Sequence, residues 1–294
     1  MGTRSQVSTL FVAAPIVLVA GLVAWAGGQY GTRLGGVSVM AASAVLAFAV
    51  QWIAFVPAYA RQTEHFYDLV GSLTYLSVAA FALVATDRFD SRALLLFVLV
   101  VVWAGRLGTF LFRRVRQQGS DGRFDAIKPD AGRFFVAWTL QGLWVFLTLC
   151  AALAAMTTLD PSPLGITDAI GLLVWAVGFG LEVIADRQKS RFRSEHPGRF
   201  VDAGLWAWSR HPNYFGEIVL WTGVAIIASS TLHGWQWVTI VSPVFVAFLL
   251  LRLSGVPILE RRADERWGGQ EDYERYKRQT PVVRPRPPSF GGDH

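Results

Sequence analysis

The densest chemistry in the chain is the run Ser209-Arg-His-Pro-Asn-Tyr-Phe-Gly-Glu217. A proline suits the first turn of a helix, where its missing N–H costs nothing, so the run predicts a helix opening at Pro212. The free N–H groups and positive dipole end of that helix favour an anion, with Arg210 and His211 beside them. Asn213 and Glu217 are four apart and share one helical face, with Tyr214 alongside. An anchor at lipid headgroup level would account for His211 and Tyr214, but not for Glu217 one turn into an apolar segment. Glu182 and Asp186 form a second pair, also four apart, at the end of another apolar run. Asp186 could pair with Arg187 or Lys189, whereas Glu182 lies deeper, where an ionisable group is costly and marks function.

Arg191, Arg193, Arg199 and Arg252 fall on the same side of the chain's apolar segments. Each alone suits anionic lipid. With a helix N-terminus and buried carboxylates they make a mixed-charge shell with the polarity of a nucleotide, whose phosphates need cations and whose ribose hydroxyls and amide need carboxylate and Asn. A third group is Gln62, Glu64, His65, Tyr67 and Asp68. If a helix starts early there, Glu64 and Tyr67 lie three apart on one face. A tyrosine beside a carboxyl can donate a proton to a carbonyl oxygen and steady the resulting enolate; a polar interfacial turn is the alternative. The chain has no GxGxxG, P-loop, HExxH or nucleophile elbow. Its single Cys150 excludes an intramolecular disulfide and a cysteine-based zinc cluster, and no metal site is expected.

The elements that must position these residues are apolar helices. Of 294 residues 53% are hydrophobic and only 16% charged, against roughly 25% charged in a soluble domain. Mean hydropathy is +0.38. A helical crossing takes about 20 apolar residues, and eight stretches qualify: Thr9–Gly27, Gly36–Val56, Leu69–Ala85, Ala93–Phe112, Phe134–Met156, Ile166–Ala185, Tyr214–Ser230 and Trp235–Leu251. The expected fold is therefore all-α, a polytopic bundle of eight spans, or seven if the first is a cleaved signal segment. If the N-terminus is cytosolic, the cytosolic loops and tails hold 23 of the 27 Lys and Arg and the opposite loops only Arg33, Arg88 and Arg92. That bias sets both termini in the cytosol. We expect one membrane domain: N-terminal spans at 9–61, substrate-side spans at 62–181, a cytosolic cofactor-binding cap at 182–281 and a flexible Pro-rich tail at 282–294. The segment Glu260–Lys277 is amphipathic, and Pro281–Pro288 forbids helix.

Taken together, Glu182-Val-Ile-Ala-Asp186, Arg193, the Ser209–Glu217 run, Arg252 and Glu260 resemble the steroid 5α-reductase family, and more closely a bacterial branch of membrane proteins grouped with it. Phe66–Leu76 (FYDLVGSLTYL) and Trp103–Arg114 (WAGRLGTFLFRR) are similar to that branch as well. The likeness runs roughly from Gln62 to Pro281. It implies NADPH held at the cytosolic side of a bacterial inner membrane and reduction of an activated carbon–carbon double bond. The hydride goes to the β-carbon of an enone, such as a 3-oxo-Δ4 steroid, while a protein acid polarises the carbonyl. Carried over, Asp186, Arg193, Asn213, Tyr214, Glu217 and Arg252 would contact cofactor, with Glu182, Arg210 and His211 in the same shell. Glu64, with Gln62, would sit at the substrate carbonyl. Mammalian members place a tyrosine where this chain has Trp103, so Tyr67 is the substitute donor. They carry Asn at the position of Glu182 and Tyr at that of Glu260.

The alternative is a membrane methyltransferase using S-adenosylmethionine on an isoprenylcysteine-like or phospholipid acceptor, since such enzymes share the RHPxYxG pattern. That cofactor lacks phosphates and is cationic at sulfur, so the arginines favour NADPH. A non-enzymatic lipid-binding protein is a third class, and it gives little reason for Glu217. A hydrophobic substrate and membrane lipid are the expected partners, and nucleic acid is not.

Overall fold

The computed structural model describes residues 2–87, 89–118 and 124–287, and it is nearly all helical. In chain order it forms α1 (Gly2–Gly27), a hairpin of β1 (Arg33–Leu34) and β2 (Val37–Ser38), α2 (Val39–Ala60), α3 (Tyr67–Ala85), α4 (Ser91–Gln118), α5 (Ala131–Met156), α6 (Ile166–Glu195), α7 (Pro212–Ser229), α8 (Val241–Phe248), α9 (Val256–Trp267) and α10 (Glu271–Gln279). Six of the described helical stretches are long and apolar enough to cross a membrane: Val39–Ala60, Tyr67–Ala85, Ser91–Phe110, Ala131–Met156, Ile166–Glu195 and Gly234–Trp267. Large apolar side chains stand exposed along them, including Ile53 at 72%, Val84 at 67%, Ile166 at 80% and Val244 at 65%. Contiguous apolar exposure of this kind needs a non-aqueous solvent, so the protein is a multi-pass integral membrane protein.

The chain divides into two units. The first comprises residues 1–168 and 225–242, the second 169–224 and 243–294. In the first, α5 is the hub. It packs against α1, α2, α3 and α4, and its run from Val145 to Met156 is buried throughout. A helix apolar on every face is what a bundle centre requires. Asp130 opens α5 by accepting from Arg133 N–H (3.0 Å), and Ser38 opens α2 through Ala41 N–H (3.1 Å). The β1–β2 hairpin departs from the all-helix expectation. Gly35 and Gly36 turn it at φ +54° and +86°, the positive angles a two-residue hairpin demands.

In the second unit α6 and α7 touch backbone to backbone. Gly171 and Gly178 on α6, and Gly216 and Gly223 on α7, are each seven residues apart. A Cβ on Gly216 would lie 2.6 Å from Gly178 O and 2.7 Å from Glu182 N; one on Gly223 would lie 2.5 Å from Trp175 N and 2.6 Å from Gly171 O. Small residues at this period let two helix backbones approach where side chains would hold them apart.

Several expected boundaries move. α7 is absent from the six spanning stretches, because its 18 residues begin with a polar turn holding Asn213 and Glu217. The apolar part of α1 with described side chains is Phe11–Gly27. The eighth stretch does not stop at Leu251: a π turn runs to Leu253 and, after a bend at Ser254–Gly255, α9 continues to Trp267. The single amphipathic segment expected at Glu260–Lys277 is two helices, α9 and α10, broken at Gly268–Gly269, where Gly269 has φ +82°.

Candidate functional site

Each unit holds a buried polar group, and between them they contain most of the residues singled out in the sequence. In the second unit the helix does open at Pro212. The glycine contact lays Glu182 along Gly216, next to Glu217. One turn earlier, Asn213 Nδ2 donates to Asp186 Oδ1 (3.2 Å). Glu182, Asp186, His211 and Glu217 are all at most 8% exposed. Asp186 thus has Asn213 as a partner, one that spacing along α6 did not offer.

Glu260 on α9 binds both residues ahead of that helix. Arg210 Nη1 donates to Oε2, and His211 Nε2 lies 2.7 Å from Oε1. The His211 ring stacks on Tyr214 at 5.4 Å with planes 11° apart. Tyr214 in turn reaches Gly255, where a Cβ would lie 2.9 Å from its ring. The C-terminal segment straps this loop: Arg210 N–H donates to Pro281 O (2.9 Å), Ser209 Oγ to Val283 O (2.8 Å) and Arg286 N–H to Trp208 O (2.9 Å). Residues 282–287 are therefore tied down rather than a loose tail, and 288–294 lie outside the described residues. Tyr276 O–H closes the strap onto Trp206 O at 2.8 Å.

Three consecutive polar positions of this group keep an atom without a hydrogen-bond partner: Arg210 Nε, His211 Nδ1 and Asn213 Oδ1, all buried. Folded proteins leave few such atoms, and each costs about 1–3 kcal/mol. Burial holds the His211 pKa below its ordinary value, although Glu260 pulls the other way. A neutral ring facing a carboxylate carries its proton on Nε2, which leaves Nδ1 an acceptor. The group thus presents one N–H and two acceptors to whatever would complete it. That is a mixed request, met by a ligand with both acceptor oxygens and donating hydroxyl or amide groups.

The arginine shell is less gathered than the spacing suggests. Arg193, Arg199 and Arg252 are exposed, and Arg191 pairs with Glu195 (2.8 Å) in the last turn of α6. Arg210 is drawn into the group and meets Glu260, and Lys189 acts on His211 as well. Glu260 was visible in the sequence through the family resemblance, where it stands in place of a Tyr.

In the first unit Glu64 does not share a helix face with Tyr67. It sits in the turn before α3, where its carbonyl accepts from Tyr67 N–H (2.8 Å). Its carboxyl is buried and meets Lys128 Nζ at 2.6 Å; Lys128 also reaches the exposed Asp125 at 3.3 Å. The Glu64 carboxylate raises the Lys128 pKa above its usual value. Tyr67 O–H donates to Ala137 O (2.9 Å), and its ring packs on Phe124 and Trp138 at 4.7 and 4.9 Å. Gln62 is not brought to this group. It is exposed at φ +49°, and its amide donates to Tyr59 O (2.8 Å), closing the end of α2. His65 is exposed too. Trp103 is buried edge-on to Tyr75 at 5.0 Å. Lys128 carried no signal of its own in the sequence, being one cation in a polar connecting segment.

Comparison with known proteins gives one family. No curated protein and no solved structure matches the chain. The family model described as a protein of unknown function (DUF1295) matches residues 54–280, a stretch that contains both polar groups, the Gly-paired helices α6 and α7 and the strapped Ser209–Glu217 run. The chain, a multi-pass membrane protein, belongs to that family.

Proposed function

We propose that the protein is an NADPH-dependent membrane reductase that transfers hydride to the activated double bond of a hydrophobic enone, a 3-oxo-Δ4 steroid being the substrate that best fits the reading. The observation that carries it is the trio of unpartnered atoms on Arg210, His211 and Asn213, set among Glu182, Asp186, Glu217 and Glu260. A dinucleotide offers both partners these atoms need: phosphate and amide oxygens for the arginine, ribose hydroxyls and a carboxamide N–H for the acceptors. The resemblance to steroid 5α-reductases points the same way. Under this reading Asp186, Asn213, Tyr214 and Glu217 bind the nucleotide, and the exposed Arg193 and Arg252 meet its phosphates. The cofactor, when bound, supplies the hydride.

The chain's own part is to hold the substrate carbonyl and stabilise the charge that develops there. Tyr67 is the residue assigned to donate to it, with Glu64 beside it. Tyr67 O–H, now given to Ala137 O, is a donor that can be redirected by rotation of one bond. Packing around it excludes water and strengthens any hydrogen bond to an enolate oxygen. We infer in addition eight crossings with both termini and the nucleotide on the cytosolic side, from the Lys and Arg bias. Cysteines introduced at Leu164 and Arg191 should then label from opposite faces.

The deciding experiment is thermal unfolding of the full chain in mild detergent with NADPH, NADH and S-adenosylmethionine. The expected order is NADPH above NADH, with no effect of S-adenosylmethionine. Stabilisation by S-adenosylmethionine alone would replace the reductase with a methyltransferase. NADPH-loaded protein should reduce progesterone, and failure there with binding intact would remove the steroid and keep the cofactor.

A further inference from the structure

We propose that Lys128 is a positioning residue that holds Glu64 as a carboxylate, so that the buried group next to Tyr67 accepts hydrogen bonds and never donates one. The inference takes its functional meaning from the reductase reading, but its physical content stands apart from it. The Glu64 side chain is 1% exposed, while that of Lys128 is 17% exposed and that of Asp125 is 65% exposed. The three form a graded line from solvent inward: Asp125, then Lys128 at 3.3 Å, then Glu64 at 2.6 Å. A carboxyl so deeply buried without a cation would take up a proton, since desolvation disfavours the charged form. An ammonium in direct contact reverses that balance. Lys128 lies in the turn ahead of α5, whose entry is fixed by the Asp130 cap two residues later. The backbone that carries Lys128 is therefore held at the helix entry, within reach of Glu64.

The consequence concerns which atom can give a proton. An ionised carboxylate is an acceptor only, so a carbonyl oxygen brought to this place must receive its hydrogen bond from another group. Tyr67 O–H, whose ring packs in the adjoining apolar cluster that also takes in Tyr59, follows Glu64 by three residues. The Glu64–Lys128 pair is itself electrically neutral. A lone carboxylate would oppose the negative charge that develops on an enolate oxygen, whereas the Glu64–Lys128 pair does not.

The test is infrared spectroscopy of the full-length protein in detergent. The protonated-carboxyl stretch belonging to Glu64 is assigned by its loss in Glu64→Gln. Wild-type protein should lack that band at neutral pH and gain it only on acidification. Lys128→Met should show it at neutral pH, and Lys128→Arg should not. A Glu64 band already present in neutral wild-type protein overturns the proposal, and needs no variant to fold. So does its absence from a folded Lys128→Met protein. Turnover separates this result from the wider reading: Lys128→Met should lose roughly 100-fold in rate, the scale of a misplaced catalytic group, with NADPH affinity unchanged and Lys128→Arg recovering much of the loss. Spectra as expected in a protein that reduces no enone would sink the reductase and leave the pair. Active wild-type protein with a protonated Glu64 would sink the pair and leave the reductase.

Discussion

Two arginines, one buried and one half-buried, make an instructive contrast. In the first unit Arg92, 2% exposed, is fully spent. Its Nε and Nη2 grip both oxygens of Asp168 at 2.8 and 2.9 Å, Nη1 reaches Ser162 O and Oγ at 3.0 Å, and Nη2 also reaches Pro163 O at 3.0 Å. Asp168 takes a further N–H from Gly165 at 2.7 Å. In the second unit Arg210 gives one nitrogen to Glu260 and keeps Nε without a partner, with His211 Nδ1 and Asn213 Oδ1 in the same condition. The first is a closed network, and its geometry explains itself as a clamp holding the 159–165 loop. The second leaves three neighbouring polar atoms open. An ion pair to a carboxylate is common to both, and what separates them is that clustering of unsatisfied atoms.

The contrast breaks most visibly if the clamp is cut. Arg92→Ala should leave Asp168 buried without its cation and destabilise the protein by about 3–5 kcal/mol, as such losses typically do. Nucleotide affinity of the folded fraction should not change. Thermal unfolding and binding measured on one preparation check both, and a shift in affinity larger than the shift in stability would undo the assignment of roles.

Asn213→Ala and Glu217→Ala should do the reverse. Wild-type protein at a nucleotide concentration of 100 times its dissociation constant gains about 2.7 kcal/mol of stability by mass action. Most of that gain should vanish in both variants, on top of the loss of about 1–3 kcal/mol in unliganded stability that unpairing a buried polar group brings. If the gain persists in well-folded variants, these two residues leave the site.

Gly216→Ala asks whether the helix contact places the carboxylates. The added methyl meets Gly178 O and the Glu182 backbone, and overpacking of this kind costs about 1–3 kcal/mol. Loss of nucleotide binding should accompany it, because Glu182 and Glu217 are set by that contact. Gly35→Ala, in the hairpin, should change stability without touching binding.

The smallest effect is on pH. Burial depresses the folded-state pKa of His211, so the unfolded chain binds this proton more readily. The contribution to stability is whole above the unfolded value of about 6.5 and is lost as pH falls through it. The slope from this one group should not exceed roughly 1.4 kcal/mol per pH unit, and His211→Gln should flatten it in denaturation curves run from neutral to mildly acidic pH.

Much of this molecule follows from its sequence. Apolar length and the scarcity of charge determine a helical membrane protein, because a backbone in lipid must satisfy itself within each segment. Pro212 determines where α7 opens, since a proline has no N–H to lose there. The spacing of Asn213 and Glu217 puts them on one face, whatever lies opposite. Partners across space were a different matter. Nothing local joins Asp186 to Asn213 rather than to Arg187, or Glu260 to His211, and the heptad of glycines that brings α6 onto α7 is four scattered residues until the helices meet. Glu64 showed the limit most clearly. Its three-residue spacing from Tyr67 matters only inside a helix, and α3 begins at Tyr67 itself. What Glu64 meets instead is Lys128, 64 residues away. A sequence states which groups can ionise; which of them remain charged is decided by the atom that folding sets against each one.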